Sequence, residues 1–188
     1  MSPIITEGGN GTVSAVMFGG IGAYSLIFKD TKGLEIAKIG LESFLLTGIA
    51  CQMLKYTFSR ERPSAATESG GAWSKPFSYF SKAAKGKSIA SYDSFPSGHT
   101  TTAFSWATTF ADAYPDTWVP YASYSMATLV GISRIMESTH WLSDCFAGAL
   151  LGHYGTNLIE YLNYGSTSIQ VSPRAGTSGY GLTLTATF

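Results

Sequence analysis

The feature that most limits how this chain can fold is its punctuation. Long stretches with few charges are set off by Asp30-Thr-Lys-Gly33, Pro63, Pro115 and Asn163-Tyr-Gly165. Proline cannot continue a helical hydrogen-bond ladder, and glycine readily closes one. The pattern predicts helices over about Thr12–Phe28, Leu34–Arg60, from after Pro96 to Tyr114, Thr117–Met136 and Trp141–Leu162. In the second, Leu34, Ala37, Leu41, Leu45, Ile49 and Met53 follow the three-to-four spacing of one helix face. The segment Ser64–Phe95 is different. It is rich in Ser, Ala and Gly, and it mixes Lys75, Lys82, Lys85 and Lys87 with aromatic residues. It reads as a long connection with one short helix over Phe77–Lys85, either a lid that touches lipid or a solvated loop.

The tail changes period. Leu182, Leu184, Ala186 and Phe188 alternate with Thr and Gly, which is strand spacing. Ser168–Val171 is the expected partner in a hairpin. The expected fold class is therefore all-α: a single bundle of about five to six helices with a short C-terminal β-hairpin or extended tail. One domain covers residues 1–188, with a helical core over 12–162, an insertion over 64–95 and a tail over 163–188.

Composition narrows the function. Twelve Lys and Arg balance twelve Asp and Glu, so the chain lacks the basic excess of a nucleic-acid binder. Its two cysteines, Cys51 and Cys145, have no CxxC spacing and read as buried free thiols. A mean hydropathy of +0.11 with 13% charged residues lies between soluble and membrane proteins. The longest uncharged stretch, Gly8–Phe28, carries six glycines, and none of the stretches reads as a membrane span. A soluble helical core is expected over an integral membrane bundle. The first residues lack the basic and apolar blocks of a secretory signal.

Three clusters carry chemistry. Lys55 and Arg62 stand seven apart, two turns of one helix, so both cations are expected on one face, either a solvated basic edge or a pair with an anion between them. Arg60 is offset and expected at the surface. Ser97-Gly98-His99 follows Pro96 and opens a helix, where free amides and the helix dipole favour anions; Ser97 also suits an ordinary cap. Arg134 is the only Lys or Arg between Lys87 and Arg174, in an apolar helix, and calls for an anionic partner. His140 and Asp144, four apart, share a helix face, so the carboxylate can hold one ring nitrogen and leave the other free. His153 falls on the opposite side and reads as structural. The set lacks the thiols of a zinc site and the clustered carboxylates of a magnesium site. It fits a tetrahedral oxyanion such as phosphate.

The pattern Lys-x6-Arg-Pro, Pro-Ser-Gly-His and Ser-Arg-x5-His-x3-Asp resembles the signature of the type-2 phosphatidic acid phosphatase superfamily, which includes bacterial acid phosphatases, lipid phosphatases and vanadium haloperoxidases. All eleven specified positions, from Lys55 to Asp144, match in order. The resemblance implies that His140 attacks phosphorus to form a phosphohistidine, that Asp144 orients it, and that His99 protonates the leaving oxygen and then activates water. It implies that Lys55, Arg62 and Arg134 neutralise the phosphoryl oxygens, with Ser97 and Gly98 hydrogen-bonding to them. No metal or other cofactor is implied. The implied partner is a phosphorylated small molecule or lipid, with contact to a membrane surface and a site facing away from the cytoplasm, in the bacterial periplasm. A vanadate-dependent haloperoxidase and a non-catalytic phosphate-binding or lipid-binding module are the alternative readings.

Overall fold

Asn10 opens the first helix, α1 (Gly11–Phe28), by accepting a hydrogen bond from the Thr12 amide at 3.0 Å. That satisfies one of the donors left unpaired at a helix start and is worth about 1 kcal/mol. Lys29 closes α1 in the left-handed region and donates its amide to the Ser25 carbonyl. Asp30 then starts α2 (Thr31–Phe58), and the two pack as a helical hairpin. A 3-10 turn, Pro63–Ala65, follows. Three more helices complete the bundle: α3 (Gly98–Ala113), α4 (Val119–Met136) and α5 (Leu142–Tyr164). The structure, a computed structural model of the chain, describes residues 8–78 and 91–164, and follows the backbone over 168–176 and 179–187.

Among the described residues up to Tyr164 the regular structure is all helical, and α3 is its axis, packed on α2, α4 and α5. Close packing follows from small residues. Ala103, Ala107, Ala127 and Val130 are fully buried, with Phe104, Trp106 and Tyr124 around them. A β-carbon at Gly148 would stand 2.6 Å from the Ser97 carbonyl oxygen, and one at Gly152 would stand 2.3 Å from that of Thr101. Glycine at both places lets α5 lie directly against the backbone of α3.

The interior is rich in hydroxyls. Thr101, Thr108 and Thr109 each donate to the carbonyl four residues earlier, at 2.9, 2.8 and 3.1 Å. These bonds remove the cost of burying the groups without partners. His153 joins the same layer: Nδ1 meets the Thr108 hydroxyl at 3.1 Å and the Tyr124 hydroxyl at 3.0 Å. It holds helices together far from the other histidines. Cys51 and Cys145 are buried free thiols.

Large apolar residues point the other way. On α2 the buried positions include Ile36, Ala37, Ile39, Ser43, Thr47 and Cys51, while Leu45, Ile49 and Met53 are exposed. The C-terminal half of the apolar stripe expected on this helix thus faces outward, because Ser43, Thr47 and Cys51 let α2 approach its neighbours more closely there than leucines would. On α5, Phe146, Leu150 and Leu158 are exposed too. Val16, Leu26 and Ile27 of α1 are about 70% exposed or more. Contrary to the expectation that no stretch would qualify, α1 is long and apolar enough to cross a membrane by length and composition. Its glycines lower side-chain bulk without adding charge.

The short helix expected over 77–85 falls mostly outside the described residues. Beyond Tyr164 the backbone follows two antiparallel strand traces, Ser168–Gly176 and Gly179–Thr187. The C-terminal hairpin remains an expectation.

Candidate active site

Four helix ends meet at one pole of the bundle. Lys55 comes from the last turn of α2, Ser97, Gly98 and His99 from the start of α3, Arg134 from the last turn of α4, and Asp144 from the first turn of α5. Arg62 and His140 come from the connections between helices. The helix ends suit their charges. Arg134 sits at a negative dipole end and Asp144 at a positive one.

Lys55 and Arg62 converge, but by a route the spacing did not predict. Ser59 adopts a left-handed conformation, φ 40°, and ends α2, so Arg62 is not on the helix of Lys55. Asp93 joins them instead. Lys55 Nζ donates to the Asp93 carbonyl, and Arg62 Nε donates to Asp93 Oδ1 at 2.7 Å. Burial lowers the Lys55 pKa, against the pull of Asp93 and Cys51. Gly98 is close by: a β-carbon there would lie 3.9 Å from Lys55 Cε. Lys55, Gly98 and His99 line a cavity of about 250 Å³, together with Gly9, Gln52 and Thr102.

Ser97 is the cap of α3. Its Oγ accepts from the Thr100 hydroxyl at 2.9 Å, and its amide donates to the Asp144 carbonyl at 2.9 Å. The first bond fixes the start of α3 and the second ties it to α5. Arg134 is buried and pairs with Glu137, Nη2 to Oε2 2.6 Å, so it has the anionic partner its context called for. Its carbonyl accepts from the Thr139 and His140 amides at 3.1 and 3.3 Å, which fixes the connection that presents His140.

His140 is 3% exposed. Its Nδ1 lies 2.7 Å from the Ser94 carbonyl oxygen. A carbonyl only accepts, so Nδ1 carries the proton and Nε2 keeps its lone pair. The expected direct bond to Asp144 is replaced: Nδ1 is 3.8 Å from Asp144 Oδ2, an electrostatic contact only. Burial lowers the His140 pKa, although Asp144 works in the opposite direction.

The Asp144 carboxylate is fully buried and held on every side. Oδ1 accepts from Arg60 Nη1 at 2.5 Å. Oδ2 accepts from the Ser94 hydroxyl at 2.5 Å and the Trp141 amide at 2.9 Å. Burial alone would raise its pKa, but the His140 ring, Ser94, Trp141 and Arg60 outweigh it, and the net shift is downward. His99 is pushed down to about 4, first by burial and then by Arg134, His140, Lys55 and Arg62.

Arg60, expected at the surface, is 6% exposed. The left-handed turn at Ser59 redirects it inward. Asp93 and Ser94 also escaped the sequence reading, since they lie in the long connection. Their position just ahead of Phe95-Pro-Ser-Gly98 was the only signal available. Among the described residues, no group of three or more His, Cys, Asp and Glu is placed to hold a metal ion.

The sequence model of the PAP2 superfamily matches residues 38–167. A protein named lipid A 1-phosphatase in Porphyromonas gingivalis is 47% identical over 62 residues, 32% of this chain and 14% of that protein. Proteins of the same name in Rhizobium etli and Rhizobium johnstonii are each 29% identical over 143 residues, 73% of this chain and 57% and 54% of their own lengths. The chain thus spans less than two thirds of each of these relatives. No solved structure matches it significantly. The matched segment runs from α2 to the end of α5 and contains every residue of the site, and the chain belongs to the PAP2 superfamily.

Proposed function

We propose that the protein is a phosphomonoesterase that hydrolyses a lipid phosphate through a phosphohistidine, with no metal taking part. The observation that carries this is the state of His140: buried, protonated on Nδ1 by its bond to Ser94, and so left with a lone pair on Nε2, within the field of Lys55 and Arg62. In the first step Nε2 attacks phosphorus and the ester P–O bond breaks. His99 gives its proton to the leaving oxygen. In the second step His99 takes a proton from water, the oxygen attacks phosphorus, the P–N bond breaks and inorganic phosphate leaves. Lys55, Arg62 and Arg134 neutralise the phosphoryl oxygens, the charge work a metal ion does elsewhere. Ser97 and Gly98, at the amide end of α3, hydrogen-bond to the same oxygens. The charge of a bound phosphate offsets the cations around His99 and raises its pKa toward a working range.

The name shared by the curated relatives favours a phosphorylated lipid as substrate. The exposed apolar face of α1 supports a membrane-associated enzyme. A site on the extracytoplasmic side, in the periplasm of a bacterium, is part of the same reading. So is a lid role for residues 64–95. The start of that segment already packs on the site, with Glu61 Oε2 accepting from the Thr67 and Ala72 amides at 3.0 and 3.2 Å. The test is a substrate panel at acid and neutral pH: nitrophenyl phosphate, phosphatidate, phosphatidylglycerophosphate, an isoprenyl diphosphate and a phosphorylated glycolipid. Release of phosphate from one or more lipids, unchanged by chelator, is expected. Bromide oxidation with added vanadate and no phosphate release would favour a haloperoxidase instead.

A further inference from the structure

Arg60 is held as firmly as any side chain in the site. Its guanidinium lies over two indoles, 4.6 Å from the Trp73 ring centre and 5.2 Å from that of Trp141. Nε and Nη2 donate to the Gly70 carbonyl at 3.1 and 2.6 Å. Nη1 donates to the Ser143 hydroxyl at 2.7 Å and to Asp144 Oδ1 at 2.5 Å. Of the two indoles on the guanidinium, Trp141 is pinned through Nε1 to the Glu61 carbonyl at 2.8 Å, and Trp73 packs edge-on against Phe58. The planar fork therefore has one orientation.

We infer that Arg60 is a positioning residue of the proposed reaction, acting through Asp144. The carboxylate has two oxygens and two sets of partners. Arg60 fixes Oδ1; Ser94 and Trp141 fix Oδ2. With Oδ1 released, the carboxylate can turn about its terminal torsion, which is broad and nearly two-fold. Ser94 then loses the acceptor of its hydroxyl. The same Ser94 supplies the carbonyl that holds His140 Nδ1, so the disturbance reaches the nucleophile. Arg60, Asp144, Ser94 and His140 form one chain of contacts, and Arg60 is its outer end.

This rests on the phosphohistidine reading, and a double-mutant cycle separates the two. Arg60→Gln, Asp144→Asn and the double variant are assayed with nitrophenyl phosphate, with folding followed by circular dichroism. Arg60→Gln should lower kcat about 10- to 100-fold, as small misplacements of reacting groups do, with KM changed less than about twofold. Adding Arg60→Gln to Asp144→Asn should cost less than about threefold more, because the partner is already lost. Losses that multiply, or a KM that rises as kcat falls, would overturn the positioning role. If Arg60→Gln does not fold, Arg60→Lys carries the same cycle. It keeps a cation but not the fork, and it should show the same kcat loss and the same non-additivity. Full activity in Asp144→Asn would instead bring down the phosphohistidine reading itself.

Discussion

The Nδ1 atom of His140 donates to the backbone carbonyl of Ser94 at 2.7 Å. A main-chain acceptor, not a carboxylate, sets the tautomer of the candidate nucleophile. Asp144 stands one step back at 3.8 Å, where its charge still favours the positive ring that forms when Nε2 bonds to phosphorus. A carbonyl cannot be protonated in the working pH range, so the tautomer is fixed across it.

His140→Ala should lower phosphate release from nitrophenyl phosphate by about three orders of magnitude or more, the scale seen when a nucleophile is removed. Its fold should persist, since the imidazole makes one hydrogen bond to the backbone. Activity and circular dichroism measured together check this. A folded variant with normal turnover would reject His140 as nucleophile.

His99 should titrate near 4 in the free protein, well below the ordinary value of 6.5. The folded value is the depressed one, so the unfolded chain binds the proton first as pH falls. The stability from this group is complete above about 6.5 and is lost as pH falls through about 4. Nitrogen-resolved NMR titration reads the ring directly. Inorganic phosphate should move the midpoint upward. In urea titrations at pH 7 and 4.5, His99→Gln should lose less stability between the two than the parent. A His99 midpoint at 6.5 would contradict the burial and charge set around it.

Gly152→Ala should be one of the most damaging single changes in the bundle. The new β-carbon would lie 2.3 Å from the Thr101 carbonyl oxygen and 2.9 Å from the Ser105 amide nitrogen, both backbone atoms that cannot swing aside. Forcing α5 off α3 should cost about 2 kcal/mol or more. A thermal melt would show it as a drop of several degrees, with Gly48→Ala, where nothing lies within 4 Å, as the harmless control.

Phospholipid vesicles should retain the full chain in co-sedimentation. Leu26→Lys with Ile27→Lys should weaken that retention, because both side chains are exposed on α1, at 69% and 74%. Turnover of nitrophenyl phosphate should be unchanged, as neither residue touches the site. A parent chain that stays in the supernatant would remove the membrane contact from the proposal.

Much of the site was legible as sequence because its residues sit in short motifs at helix ends, where spacing translates directly into place. Ser97, Gly98 and His99 needed only a helix start, and Arg134 a lone charge. The rest depended on events that spacing does not record. One left-handed residue, Ser59, took Arg62 off the helix of Lys55 and turned Arg60 inward. Asp93 and Ser94 act in part through backbone carbonyls, which any residue type carries, and their side-chain bonds to Arg62 and Asp144 depend on the path of a connection that spacing does not record. The five helices followed from proline, glycine and apolar periodicity. Which face pointed inward did not. Periodicity separates two faces, but here the small and hydroxylated face of α2 is the buried one, and Leu45, Ile49 and Met53 lie outside.

The central claim is that His140 Nε2 carries the phosphoryl group. Mixing the protein with nitrophenyl phosphate, quenching rapidly in base and mapping the chain by mass spectrometry tests it most directly. An acid-labile, base-stable phosphoryl adduct on His140, absent from His140→Ala, is the predicted result. Turnover by the parent with an adduct on another residue, or with none at any quench time, would contradict it.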